Sequence, residues 1–147
     1  MVFDTLIIGG GVSGLQCALV LGSAKNKPFA IDKKVVAIED YNSVYKIVTN
    51  KTTYVSKIVV IALNYSKPFT INGLDNYIEP HQKANVEKDR IQLKNKDHLI
   101  KNNLYCCGTI AGFRSQFAIA AGSGASVATD ILTLWNNGKH VKVHDKV

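Results

Sequence analysis

The chain has no Cys-x-x-Cys pair. Its three cysteines, Cys17, Cys106 and Cys107, are odd in number and two of them are adjacent. That usage excludes a disulfide framework and a redox dithiol of the usual spacing, and it points to a reducing, cytoplasmic compartment. Arginine is scarce: only two of the eighteen basic side chains are arginines, and no basic run is longer than Lys33-Lys34. A net charge of +7 can draw in anions or nucleic acid, but lysines scattered in this way read as a solvated surface, so a nucleic-acid partner is not expected. No apolar run reaches the ~18 residues of a membrane span, and an acid at Asp4 with no basic leader argues against a signal peptide. His140 and His144 have no cysteine or acid framework around them, so no metal site is expected. What remains is 147 residues, 46% apolar and 20% charged, the composition of one globular domain with a core of its own.

The rest of the chain is organised around its first fourteen residues. An apolar run from Val2 to Ile8 leads into Gly9-Gly10-Gly11-Val12-Ser13-Gly14, which fits G-x-G-x-x-G at Gly9, Gly11 and Gly14. Leu15-Gln16-Cys17-Ala18-Leu19-Val20-Leu21 follows without proline or charge, so the glycines stand between a strand and a helix, the context in which the pattern carries meaning. Gly9 then permits the tight turn, Gly11 lets the backbone approach a pyrophosphate, and Gly14 lets the helix lie close to the strand. The pyrophosphate would rest on the free amides at the helix start. A second strand, Lys27-Pro28-Phe29-Ala30-Ile31-Asp32, ends on an acid twenty-one positions after Gly11. There an acid accepts hydrogen bonds from a ribose diol.

The middle of the chain is β-rich. Val35-Val36-Ala37-Ile38, Val44-Tyr45-Lys46-Ile47-Val48-Thr49 and Thr52-Thr53-Tyr54-Val55 predict a three-stranded meander, with turns at Glu39-Asp40-Tyr41-Asn42-Ser43 and Asn50-Lys51. The β-branched run Lys57-Ile58-Val59-Val60-Ile61-Ala62-Leu63 predicts a strand buried on both faces, beside the first strand in a parallel sheet. Beyond it the signal falls, with one weak strand at Arg90-Ile91-Gln92-Leu93. Asn103-Leu104-Tyr105-Cys106-Cys107 reads as a buried strand stopping at Gly108. Residues 115–135 form a helix that opens on Ser115-Gln116 and stops before Asn136-Asn137-Gly138. Its first half holds almost no bulk, and Gly122 and Gly124 predict a close approach by something else, since glycine in a helix costs propensity. Adjacent cysteines on a strand point to opposite faces, so Cys106 and Cys107 read as buried structural thiols.

Four blocks in this order, Leu6-Ile7-Ile8-Gly9-Gly10-Gly11-Val12-Ser13-Gly14-Leu15, Ile31-Asp32, Ile58-Val59-Val60-Ile61-Ala62, and Leu104-Tyr105-Cys106-Cys107-Gly108-Thr109-Ile110 with Ser115-Gln116-Phe117-Ala118-Ile119-Ala120-Ala121-Gly122-Ser123-Gly124, resemble the FAD-binding domain of thioredoxin reductase-like flavoproteins. These belong to the pyridine nucleotide-disulfide oxidoreductase superfamily. The resemblance implies FAD as cofactor. It puts Gly9, Gly11, Val12, Ser13 and Gly14 on the pyrophosphate, Asp32 with Lys33 at the adenosine ribose, and Ala62, Gly108 and Thr109 along the cofactor. Ser115, Gln116 and Phe117 would face the pyrimidine edge of the isoalloxazine, where a helix N-terminus stabilises the charge of a reduced flavin. A redox partner protein and a homo-oligomer are expected with it.

The chain departs from the family pattern in three places. Thr109 stands where the family has an aspartate after the glycine, Ala62-Leu63-Asn64 replaces Ala-Thr-Gly, and only Lys33-Lys34 separates Asp32 from Val35 where the family has a longer segment. Ala62 and Cys107 are 45 positions apart with no second glycine fingerprint between them, whereas a separate NAD(P)H domain needs roughly 100 residues. The expected fold is a single α/β domain, 1–147: a Rossmann-like parallel sheet with the glycine helix on one face and a three-stranded antiparallel β-meander on the other, closed by the C-terminal helix. The expected function is that of an FAD-binding oxidoreductase. A non-catalytic flavin-binding module or subunit, and a Rossmann module for another nucleotide, are the alternatives.

Overall fold

The apolar run at the start of the chain forms β1 (Val2–Ile8) in the computed structural model, which describes residues 1–24, 28–31, 34–65 and 69–141. A strand of leucine and β-branched residues can be buried on both faces, and both faces are used: Leu6 and Ile8 enter one core cluster and Ile7 the other. Helix α1 (Val12–Ser23) follows the glycine loop, and β2 (Pro28–Ile31) returns beside β1 in parallel, with Ile8 opposite Ile31.

Strands β3 (Val35–Tyr41), β4 (Val44–Thr49) and β5 (Thr53–Ile61) form the antiparallel meander. Asn42 and Ser43 both have positive φ, 47° and 68°, as a two-residue type I′ hairpin turn requires. Strand β3 therefore runs on through Glu39-Asp40-Tyr41, residues that the sequence pattern assigned to the turn. The second turn is tied by the Thr49 hydroxyl, which donates to the Thr52 carbonyl (2.7 Å) and accepts from the Thr52 amide (3.0 Å).

The expected third meander strand and the expected buried strand are one element. Strand β5 pairs with β4 over residues 53–56 and with β1, in parallel, over residues 55–61. Ser56 and Lys57 interrupt the apolar pattern without ending the strand. The buried Ser56 hydroxyl donates to the Ile58 carbonyl (2.6 Å), and the exposed Lys57 ammonium lies 3.7 Å from Asp4. The meander is thus hydrogen-bonded into the parallel sheet. It still covers one face of that sheet, because Val35, Ile38 and Ile47 share a core cluster with Leu6, Ile8, Val59 and Ile61.

After β5 the described chain forms a small antiparallel pair, β6 (Ile78–Pro80) with β7 (Ile91–Leu93), then a hairpin of β8 (Leu99–Lys101) and β9 (Leu104–Cys106). Strand β9 lies parallel to β5, with Val59 opposite Leu104. Strands β6 and β8, three residues each, are too short to carry a period and were not expected. Helix α2 (Phe117–Trp135) packs across α1, and Val127, Ala128, Ile131 and Leu132 join Ile7, Cys17, Leu21, Ile58 and Val60 in the second core. At 19 residues and a hydropathy of 1.4, α2 is long and apolar enough by length and composition to cross a membrane. The expectation that no such run exists is therefore corrected: Gly122, Gly124 and Ser123 mask an apolar stretch whose only charge is Asp130.

Candidate cofactor-binding site

The carboxyl ends of β1, β5 and β9 converge, and the predicted glycines lie there. Gly9 has φ of 115°, and a Cβ on it would run into the Ala62 carbonyl. Ala62 is fixed in turn, since its amide donates to the Ile8 carbonyl (2.8 Å). A Cβ on Gly14 would sit 2.6 Å from the Gly9 carbonyl oxygen and 3.1 Å from the Ala62 Cβ. Gly9 and Gly14 are thus demanded by the packing of the protein itself. Gly11 is different: it is the N-cap of α1, and a Cβ there would meet nothing within 4 Å. Helix α1 has no side-chain cap and no acid in its first turn. The amides of Val12, Ser13 and Gly14, which a helix leaves without intrahelical acceptors, therefore face that opening with the positive end of the dipole behind them.

The turn after β9 is built against this loop. Gly108 has φ of 75°, and a Cβ on it would stand 2.5 Å from the Ser13 Oγ. Ser13 also hydrogen-bonds the Cys107 side chain; burial pushes that thiol up to about 11, against the lowering effect of the serine. Burial raises Cys106 and Cys17 as well, each further by its proximity to Cys107. Cys106 lies in the meander-side core and Cys107 in the helix-side core, as strand alternation predicts. Neither is a thiolate at neutral pH, so neither is a ready nucleophile.

Two histidines bear on the Gly108-Thr109 turn, His98 through Ser123 and His81 directly. The Gly108 amide donates to the Ser123 Oγ (2.9 Å), which is itself 2.9 Å from His98 Nε2. His98 is buried and stacks on Phe113, with centroids 5.0 Å apart and planes within 5°. The carbonyl of the half-buried Thr109 lies 2.9 Å from His81 Nε2. His81 Nδ1 accepts from the Lys83 and Ala84 amides at 3.1 and 2.9 Å, so the ring proton sits on Nε2 and is donated to Thr109. Sequence reading singled out neither His81 nor His98. Their partners lie 28 and 25 residues away along the chain, and nothing local marks them.

Helix α2 meets α1 backbone to backbone: a Cβ on Gly124 would collide with the Ser13 carbonyl. This confirms the close approach expected of Gly124 and corrects it for Gly122, which is exposed and has nothing within 4 Å of a Cβ position. Two residues turn a helix by about 200°, so the two glycines look in opposite directions. Ser115, Gln116 and Phe117 are exposed at the entrance to α2, with Gln116 as its N-cap. Ser115 and Gln116 line a cleft of about 250 Å³ with Tyr65, His81, Lys83 and Arg114. His81 thereby joins the cleft to the Thr109 turn. Gly9, Gly11, Val12, Ser13, Gly14, Ala62, Gly108 and Thr109 are brought together; Asp32 and Lys33 lie outside the described residues.

No protein-family model matches the chain, and no curated protein matches it. Solved structures do. A thioredoxin reductase from Gloeobacter violaceus aligns with a TM-score of 0.77 at 10% identity, over 99% of this chain and 99% of that one. A ferredoxin-flavin thioredoxin reductase from Clostridium acetobutylicum gives 0.71 at 11% identity, over 93% and 98%. An oxidoreductase from Agrobacterium tumefaciens gives 0.70 at 10%, over 95% and 100%. Likeness at such identities is likeness of fold: the parallel sheet, the antiparallel strands and the closing C-terminal helix make a thioredoxin reductase-like fold.

Proposed function

We propose that this domain binds FAD and serves as the flavin domain of an oxidoreductase. The observation that carries this reading is the contrast within the glycine loop. Gly9 and Gly14 are filled against by protein, while the Cβ position of Gly11 opens on free space at an uncapped helix N-terminus. A pyrophosphate fits such a place, held by the amides of Val12, Ser13 and Gly14. The Gly108-Thr109 turn and Ala62 would line the path of the cofactor, and Asp32 with Lys33 would take the adenosine ribose. The free amides at the start of α2, near Ser115, Gln116 and Phe117, would favour negative charge at the pyrimidine edge. Bound FAD supplies reversible electron transfer; the chain supplies binding, orientation and electrostatics.

With a single glycine fingerprint in the chain, electrons would come from or go to a redox partner protein rather than to a nicotinamide held by a second nucleotide site. Three free, buried thiols suit a reducing compartment, and the reading takes the cytoplasm as the location. One observation favours a second reading, a flavin-binding subunit without turnover of its own: Thr109 offers one hydroxyl where the family has a carboxylate, a weaker anchor for a diol.

The purified protein is expected to show flavin absorption bands and to release FAD on denaturation. The Asp32→Ala variant should bind FAD about ten- to a hundredfold more weakly, the loss expected when hydrogen bonds to a charged acceptor disappear. A colourless protein that also takes up no added FAD would overturn the reading. Bound flavin that no reductant and acceptor pair can turn over would favour the second.

A further inference from the structure

The Gly108 amide has an unusual need. The Cys107 amide makes the last ladder bond of β9, to the Ile61 carbonyl (2.9 Å). Gly108 follows with φ of 75° and leaves the sheet with its amide directed into the protein. A buried amide without an acceptor costs about as much as the loss of a hydrogen bond. No strand is there to supply one, and the Ser123 hydroxyl, 5% exposed on α2, takes that place at 2.9 Å.

The direction of the remaining bonds follows from proton counting. The Ser123 hydroxyl, accepting from Gly108 through a lone pair, still has its own proton to give, and His98 Nε2 lies 2.9 Å away. A neutral imidazole has one N–H, and with it on Nδ1 the nitrogen facing Ser123 is an acceptor. In that tautomer the Ser123 O–H donates to His98 Nε2, and its lone pair is left facing Gly108. His98 cannot easily turn away. It is stacked on Phe113, its own φ is 75°, and its carbonyl accepts from the Cys106 amide (2.9 Å).

We propose, resting on the FAD reading above, that Ser123, oriented by His98, is a positioning residue for the cofactor: it holds the Gly108 amide so that the Gly108-Thr109 turn keeps the shape against which the flavin side chain docks. A protonated His98 would carry N–H groups on both ring nitrogens. The Ser123 hydroxyl would then lose its acceptor and have to turn, and its hold on Gly108 would slacken. The charged groups facing His98 are Asp97, in its own turn, and Asp130, on α2. Both favour the cation, but burial of the ring outweighs them and holds its pKa below the ordinary histidine range. Tyr105, on the β9 side, is raised by burial and by Asp130 and stays neutral. The clasp is thus intact at neutral pH and loosens on acidification below the ordinary histidine range.

The test is FAD affinity, read by flavin fluorescence on the full chain, at neutral pH and at acid pH. Ser123→Ala, checked as folded by circular dichroism, is expected to bind FAD about five- to tenfold more weakly, as for a buried amide that loses its acceptor. Ser123→Thr should restore most of the affinity. His98→Phe keeps the stack on Phe113 and removes the acceptor; it should bind slightly more weakly at neutral pH and lose the acid-limb fall in affinity that the unmodified protein shows. Should Ser123→Ala not fold, the pH profile of His98→Phe decides. A protein that binds FAD while folded Ser123→Ala binds it equally well overturns the inference, as does a His98→Phe variant that keeps the acid limb. A starting protein that binds no FAD at all overturns the flavin reading instead.

Discussion

Both faces of the sheet bury aliphatic side chains, but the helix face adds a contact of another kind. On the meander side, Leu6, Ile8, Ile38, Ile47, Ile61 and Leu93 fill the core with whole aliphatic side chains. On the helix side, beside Ile7, Leu21 and Ile131, two backbones also meet: a Cβ on Gly124 of α2 would collide with the Ser13 carbonyl of α1. One face selects sequence by volume and can relax around a change. The other has, in addition, a point that selects by the absence of a single atom, and the glycine loop is pinned there.

Substitutions on each side sharpen this contrast. Gly124→Leu should have the largest effect and yield no folded protein, because overpacking that one or two methylenes cause elsewhere at about 1–3 kcal/mol is here a collision with a carbonyl. A Gly124→Leu variant with an unchanged urea midpoint would erase the distinction between the faces. Ile61→Ala, on the meander side, should cost about 2–5 kcal/mol, and Ile61→Val only about 0.5–1.5, a graded response measurable by urea unfolding. The smallest effect has the opposite sign. Gly122→Ala should stabilise by about 0.5–1 kcal/mol, seen as a higher melting temperature, since its Cβ would enter open space; a lower one would mean that something unseen occupies that space.

How much of this was legible in the sequence follows from how local each signal is. The strand, glycine turn and helix at the start of the chain read correctly because each residue's role depends on neighbours a few positions away. The buried run 58–61 read correctly because β-branched residues on both faces leave one alternative to a parallel strand. The unity of β5 did not, since Ser56 and Lys57 break the pattern while the backbone ladder ignores side-chain polarity. Gly122 and Gly124 are alike in sequence, and only the rotation of α2 tells them apart. The His98, Ser123 and Gly108 clasp joins three segments that no periodicity links. The meeting of Gly9, Ala62 and Gly108 at the carboxyl ends of the strands could thus be read from the sequence, but not the side chains that hold the second of these turns.

The sharing of β5 also orders events in time. Strands β3, β4 and β5 are joined by short turns and pay little loop-closure entropy to meet, whereas β1 must bring residue 8 to residue 61, and β9 must bring residue 106 to the same place. Contacts between near neighbours form fast and those between distant segments slowly. The meander is therefore the natural first-formed piece, and its last strand is a template with two open edges on which the two ends of the chain later condense. Gly9 belongs to one of those late arrivals and Gly108 to the other. The space between them takes shape only when both strands have docked on β5, so on the proposed reading a cofactor would be captured at the pace of the slowest long-range docking step rather than by the glycine loop that gives the chain its signature.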